Sequence, residues 1–268
     1  MLSKEEIFYR YASLKNENFP LLSFKKLPED FIGKRPCKSH IRGQFVFPQN
    51  GTVKVYANSV YYLIPPKQTI WIPPGAEHEM ICPPESYPIT FSLINTSQSS
   101  RFISRVAIFN QTPLLFELVS KSVNFKPDYS VDSPEFRLTL LLIDELLNLQ
   151  EAKLHLPLVK DARLLRITKV LTNEPKEKHG IAELSKIACM TPRSMNRLFE
   201  KETSMTLNEW VRQQKVLQAI EKLEKKQSVS IISAELGYRS ISAFIETFKK
   251  ATGKSPGKFF TEKTRRAR

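Results

Sequence analysis

The sequence predicts an α+β chain of two domains. An antiparallel β-sandwich or barrel followed by helices comes first. An all-α domain with two helix-turn-helix units joined by a long helix follows. Three observations carry this. Short β-rich runs with a period of two fill residues 24–109, and beyond Pro113 the apolar period becomes helical. Residues 180–253 repeat themselves. Leu184, Ser185 and Cys189 lie 48 residues before Ile232, Ser233 and Gly237, and Met195 and Phe199 lie 49 residues before Phe244 and Phe248. The one-residue slip falls in a turn, where insertions cost least. A repeat of this size argues for two copies of one supersecondary unit.

Composition agrees. A chain of 268 residues, 41% of them hydrophobic, is long enough for two cores. The net charge of +14 is unevenly placed: residues 1–150 hold 16 Lys/Arg against 14 Asp/Glu, and residues 151–268 hold 25 against 13. The excess is therefore +2 in the first part and +12 in the second. A basic half of this kind attracts a polyanion, most simply nucleic acid. Cys37, Cys82 and Cys189 are odd in number, spread out and without a C-x-x-C pair. That fits a reducing cytosol and excludes a zinc site built from cysteines. No apolar run approaches the roughly 18–20 residues of a membrane helix, and Lys4, Glu5, Glu6 and Arg10 speak against a signal peptide. The expected location is the cytoplasm, with no membrane partner.

In chain order, Ser3-x-x-Glu6 reads as a capping box opening a short helix with Ile7, Phe8, Tyr11 and Leu14 on one side. Residues 43–47, 52–57, 60–64, 69–72 and 88–94 read as strands. They are separated by turn signals at 48–51, 58–59, 65–66 and 73–75. Two constellations among them can carry chemistry. In Lys38-x-His40-x-Arg42-x-Gln44 the four side chains point the same way if the segment is one strand. Pro73-Pro74-Gly75-x-x-His78 is a tight turn delivering a histidine to the next strand.

On these two motifs residues 36–95 resemble the cupin jelly roll. Its signature is an H-x-H strand pair with a later acid, then a P-x-G-x-x-H turn. The sequence departs where metal binding is decided: Lys38 stands at the first histidine and Gln44 at or near the acid. His40, His78 and an amide are a thin set for zinc or iron, which usually take three or more protein ligands. No catalytic residue, metal or cofactor is assigned. The expected site is instead a small-molecule pocket lined by Lys38, His40, Arg42, Gln44 and His78, suited to an anionic effector. A fully packed interior with no ligand is the bland alternative.

Residues 113–125 read as a helix. Ser133-Pro134 caps another whose body, residues 136–150, is apolar on most of its circumference. Burial against its own domain or self-association both account for it. A two-fold dimer suits paired DNA sites, so a homodimer is expected. The expected domains are 1–153, with the jelly roll at 24–109 and helices at 113–150, then a linker at 154–159, then 160–268.

The basic domain opens with a helix from Asp161 to about residue 172. The first reader spans about 181–202, with helix 181–188, turn Cys189-Met190 and a recognition helix capped by Thr191-Pro192. Met195, Leu198 and Phe199 face inward. Arg193, Ser194, Asn196, Arg197 and Lys201 are the expected DNA contacts, arginine forking to guanine, asparagine to adenine and lysine to phosphate. Thr206-x-x-Glu209 caps the connecting helix to about residue 226, with Trp210, Val211, Leu217, Ile220 and Leu223 inward. The second reader spans about 229–251. Ile241, Phe244, Ile245 and Phe248 are its expected buried face. Arg239, Ser240, Ser242, Ala243, Thr247 and Lys250 are its expected DNA contacts, with Glu246 beside them. A terminal helix and basic tail (Lys258, Lys263, Arg265, Arg266, Arg268) are placed to touch phosphates.

Residues 161–260 resemble the DNA-binding domain of AraC/XylS-type bacterial transcription regulators. The resemblance rests on Leu184, Met190, Thr191, Pro192, Arg193, Arg197, Leu198 and Phe199, then Ile232, Leu236, Gly237, Tyr238, Ser242, Phe244, Phe248, Lys249, Gly253 and Pro256. Cys189 replaces the usual glycine of the first turn, Ser185 and Ser233 take the small alanine position, and residue 246 is acidic where many members carry arginine. The resemblance implies a cupin-like sensor ahead of an operator-reading domain, working at the bacterial nucleoid. Double-stranded DNA, a small-molecule effector and RNA polymerase are the partners. A cupin metalloenzyme with a nucleic-acid tether and a ligand-independent DNA-binding protein are the competing readings. No nucleophile–base pair is evident, so no enzyme activity is expected.

Overall fold

In the computed structural model, residues 19–26, 33–126, 129–152 and 154–259 are described. The helix expected around Ile7–Leu14 and the tail residues Lys263, Arg265, Arg266 and Arg268 lie outside the described residues. The chain divides into two compact units. The first runs to Ala152 and the second begins at Lys153, with Ser59–Tyr61 grouped with the second.

The first unit is built on antiparallel strands β1 (Leu21–Lys26), β2 (Gly33–Lys38), β3 (Gly43–Pro48), β4 (Val53–Ala57), β5 (Val60–Ile64), β6 (Gln68–Ile72), β7 (His78–Cys82), β8 (Ile89–Ile94), β9 (Ala107–Asn110) and β10 (Glu151–Ala152). A six-stranded sheet runs in the order β1-β8-β3-β6-β9-β10, and a second sheet contains the order β5-β4-β7-β2. Neither closes on itself, so the unit is two open sheets and not the closed barrel expected. Strands β1 and β10 end the larger sheet, and β10, at two residues, is too short to carry it round.

Strands β3, β6 and β8 are buried at every position. Covering on both faces explains why their runs are apolar without strict alternation. Phe45, Phe47 and Trp71 pack with helices α2 (Pro113–Ser122) and α3 (Pro134–Leu147), which follow the short α1 (Thr96–Ser99). Phe45 and Trp71 are register partners with ring centroids 4.9 Å apart. Gly43 is required beside them: an added Cβ would lie 1.9 Å from the Trp71 ring.

Helix α3 starts as the sequence signal predicts, with Ser133 capping and Pro134 at the first position, and α2 starts the same way on Thr112 and Pro113. The greasy α3 spends most of its apolar surface inside its own unit, where Leu142, Ile143 and Leu146 join Leu115, Leu118 and Val119 in one core. Its outward stripe is Arg137, Leu141, Asp144 and Asn148.

The second unit is helical: α4 (Ala162–Asn173), α5 (Ile181–Ala188), α6 (Pro192–Thr203), α7 (Leu207–Glu224), α8 (Val229–Glu235), α9 (Ile241–Thr252) and α10 (Pro256–Phe259). Asp161, Thr191, Thr206, Ser228 and Ser240 each cap a helix through the side chain, and Thr206 with Glu209 completes the predicted capping box. The core is centred on α7, where Trp210, Val216, Leu217, Ala219 and Ile220 are buried. Residues 154–159, expected as a linker, belong to this unit. Leu154, Leu156 and Val159 are buried and the Trp210 indole donates to the Pro157 carbonyl at 2.8 Å. No helix among the described residues is long and apolar enough to cross a membrane.

Candidate nucleic-acid interface and a buried histidine pair

The repeat is realised bond for bond. Helix α5 ends on Cys189 with φ +53°, and α8 is followed by Gly237 with φ +70°. In both, two backbone bonds close the end: Met190 N donates to Ser185 O and Cys189 N to Lys186 O; Tyr238 N donates to Ser233 O and Gly237 N to Ala234 O. This is the Schellman closure, which needs a left-handed residue at the turn. The slip has one location. Met190 alone separates Cys189 from the cap Thr191, whereas Tyr238 and Arg239 separate Gly237 from the cap Ser240. The extra residue therefore lies in the second turn, where Arg239 is exposed.

The recognition helices α6 and α9 then run in step. Met195 and Phe199 in the first, Phe244 and Phe248 in the second, are buried at 0–1% exposure and fix the helix rotation. Arg193, Asn196, Arg197 and Lys201 are exposed and Ser194 half-buried. Arg239, Ser240, Ser242, Glu246 and Lys250 are exposed, and Ala243 and Thr247 half-buried. Ile241 departs from expectation: it is 46% exposed. It is the first residue of α9, as Pro192 is of α6, and the core begins one turn later. Asn196 also separates from the two arginines. With Glu200 it lines a groove of about 570 Å³ whose walls include His179, Leu207, Val211 and Lys215.

The copies extend further than the sequence repeat suggested. Each recognition helix ends on a left-handed residue, Ser204 (φ +55°) or Gly253 (φ +78°), whose N–H donates to Glu200 O or Lys249 O at 2.8 Å. Thr203 Oγ1 donates to Phe199 O at 2.7 Å and Thr252 Oγ1 to Phe248 O at 2.8 Å. Trp210 stands edge-on to Phe199, and Phe259 edge-on to Phe248. The spacing of 49 residues between Thr203 and Thr252, and between Trp210 and Phe259, was the available signal. Lys215 had none. Its Nζ donates to Leu236 O at 2.8 Å, satisfying the end of α8, and burial lowers its pKa. His179 was also unmarked; its ring nitrogens face Glu183 at 3.1 Å and Glu174 at 3.5 Å.

Residues 184–262 match the helix-turn-helix domain family HTH_18. Over 237 residues the chain is 27% identical to the HTH-type transcriptional regulator NimR of Escherichia coli K12, an alignment covering 85% of this chain and 83% of NimR. This chain is a DNA-binding transcription regulator with an AraC-type helix-turn-helix domain. Over 105 residues, 39% of the regulator, it is also 28% identical to the HTH-type transcriptional regulator RipA of Corynebacterium glutamicum, of which 32% is covered. Among solved structures, ToxT from Vibrio cholerae aligns over 91% of the regulator and 95% of its own chain, with TM-score 0.38 and 13% identity.

The regulator's first unit holds the other candidate cluster, rearranged from expectation. Residues 38–44 are not one strand. Strand β2 ends at Lys38, β3 begins at Gly43, and the chain bends at residues 41–42. The bend keeps His40 and Gln44 together, with Nε2 of His40 2.7 Å from the Gln44 side-chain amide and Nδ1 2.5 Å from Arg42 O. His78 joins them. Its ring centroid is 5.2 Å from that of His40, edge to face, and its Nδ1 donates to Ala76 O at 3.0 Å. Arg42 is 1% exposed and its guanidinium donates to Phe19 O at 3.3 Å. The Lys38 side chain lies outside the described residues. Among the described residues no group of three or more His, Cys, Asp or Glu is placed to hold a metal.

Burial disfavours charge on both imidazoles. It lowers the pKa of His40, opposed by its bonds to Arg42 and Gln44, and pulls His78 down to about 4, with nearby His40 adding to the effect. The folded His78 therefore binds its proton well below the usual value of 6.5. Its stabilising contribution is complete above about pH 6.5 and is lost as pH falls toward 4, by about 3 kcal/mol at most. Urea unfolding of the wild type and His78→Gln across pH 4–7 should show this slope flattened in the variant; an unchanged slope would exclude His78 as its source.

At Gly237 an added Cβ would be left-handed and 2.6 Å from the Lys176 carbonyl oxygen. Gly237→Ala should cost about 2 kcal/mol or more. Cys189→Gly relieves the same backbone without a clash and should gain about 0.5–1 kcal/mol. Chemical denaturation of the two variants reads both signs.

Proposed function

We propose that the regulator reads its operator through α6 and α9, and that its first unit senses a small molecule. The carrying observation is the shared frame: two helices with matching caps, matching buried faces and matching ends, each presenting an exposed polar set. Arg193, Ser194, Asn196, Arg197 and Lys201 are the contacts of the first reader. Arg239, Ser240, Ser242, Ala243, Thr247 and Lys250 are those of the second. The 18 residues of α7 span about 27 Å, the scale on which successive major-groove faces recur. Two readers joined by such a helix suit neighbouring turns on one side of a duplex.

The sensor reading takes the two sheets as a cupin-like jelly roll whose pocket centres on His40, Gln44 and His78, with Lys38 and Arg42 nearby in sequence. Neutral imidazoles offer hydrogen bonds and no charge, so an anionic effector relies on Lys38 and Arg42. Effector binding alters operator affinity or the geometry of a homodimer, and RNA polymerase is the downstream partner. Leu141 on α3 and Leu114 on α2, 47% and 49% exposed, are the apolar side chains these helices leave for a partner copy. The role is regulation and not catalysis, in the cytoplasm.

Quantitative DNA binding tests the readers. Arg193→Ala or Asn196→Ala should cost about 1–3 kcal/mol on a specific site and relax its base preference, and Lys201→Ala should weaken all sequences alike and lower the salt slope by about 1. Indifference to Arg193, Asn196 and Arg197 together would remove α6 as a reader. For the sensor, sedimentation of wild type and Leu141→Glu should give a dimer and a monomer. Titration with candidate effectors should raise the melting temperature and shift operator affinity. A monomeric wild type defeats the dimer, and no response to any effector class leaves the first unit structural.

A further inference from the structure

We propose that Glu246 makes the second recognition helix select cytosine at the position where the first, through Arg197, selects guanine. This rests on the reading of α6 and α9 as major-groove readers. Arg197 and Glu246 are 49 residues apart and each is the sixth residue of a 12-residue helix. Both are exposed. Each follows one turn after a polar residue, Arg193 or Ser242, and precedes a lysine, Lys201 or Lys250, by one turn. The buried pairs Met195/Phe199 and Phe244/Phe248 hold the two helices in the same rotation. Glu246 therefore leaves α9 from the face that carries Arg197 on α6.

The chemistry at that place is inverted. A guanidinium donates, and guanine offers O6 and N7 as acceptors in the major groove. A carboxylate only accepts, and cytosine offers the N4 amino group. The same carboxylate repels guanine and the phosphates, so it discriminates by rejection as well as by attraction. Its acceptors are not consumed among the described residues. Among the described residues Glu246 makes no ion pair, although Lys250 lies one turn on. Other acids of this unit are engaged: Glu235 with Lys222 at 2.6 Å, Asp161 with Arg163 at 2.8 Å, Glu174 and Glu183 with His179. The preceding turn of α9 carries the small residues Ser242 and Ala243, which let the helix lie deep enough for a glutamate to reach base edges. Where both helices dock in the same sense, one DNA strand carries guanine in the first half-site and cytosine at the corresponding place in the second.

Selection of duplexes from a random pool by the full-length protein, followed by competition binding of single-base variants, tests this. The wild type should enrich a site with two half-sites, one holding an invariant cytosine. Glu246→Ala should flatten preference at that base alone, with cytosine-over-guanine discrimination falling about tenfold. Glu246→Arg should move the preference to guanine and Glu246→Gln toward adenine. If Glu246→Ala tightens every duplex equally and leaves all base preferences as they were, Glu246 is only a repulsive charge and the proposal falls while the readers stand. If the wild type enriches no site, or Arg193→Ala and Arg197→Ala leave the first half-site unchanged, the major-groove reading itself falls and takes this proposal with it.

Discussion

A left-handed residue after the first helix of each reader fixes everything downstream of it. At Cys189 and Gly237 the backbone reverses within two residues, and two hydrogen bonds to carbonyls of the preceding turn lock the reversal. That sets the angle at which α6 and α9 leave. Ser185 and Ser233, buried beneath the turns, are small enough for the helices to cross there. Only then do Met195 and Phe244 meet the core, and only then do the opposite faces point to solvent. The second turn is the more demanding, because a Cβ at residue 237 would overlap the Lys176 backbone. There glycine answers both a dihedral and a spatial need. At Cys189 only the dihedral is at issue, and a non-glycine survives.

Much of the helical unit was legible because its determinants are local or periodic. Caps at Thr191, Thr206 and Ser240, the turn at Gly237 and the Phe199/Phe248 spacing each act within a few residues. What escaped depends on groups far apart in sequence. Lys215 completes the end of a helix 21 residues away. Ile241 was misread for a different reason. It fits the apolar stripe of α9, yet it sits at the first position, before the helix reaches the core. In the first unit β3, β4, β5, β6 and β8 were readable from turn signals, whereas β1, β2 and β9 were not. That the sheets stay open was not readable either, because edge pairing is set by strand length and register, not by alternation.

The histidine cluster shows how one bend changes a chemical inference. A continuous strand from Lys38 to Gln44 would align four polar side chains in one row. The bend at 41–42 keeps His40 with Gln44 and turns Arg42 toward Phe19. Burial then strips the imidazoles of charge at neutral pH. The result is a compact polar site of hydrogen-bonding groups where the sequence suggested a cationic one.

The two readers show how a fold can hold geometry fixed while letting chemistry vary. The residues that set position lie inside: Met195, Phe199, Phe244, Phe248, with the threonines that close each helix. Changing any of them moves the helix. The residues that face outward carry almost no packing energy, so Arg197 and Glu246 can differ in sign with no cost to the frame. On the proposed reading of α6 and α9, a rigid duplicated scaffold with exposed outer faces suits two unlike half-sites. The sharper the match of the inner faces, the more directly a difference on the outer faces becomes a difference in the DNA they fit.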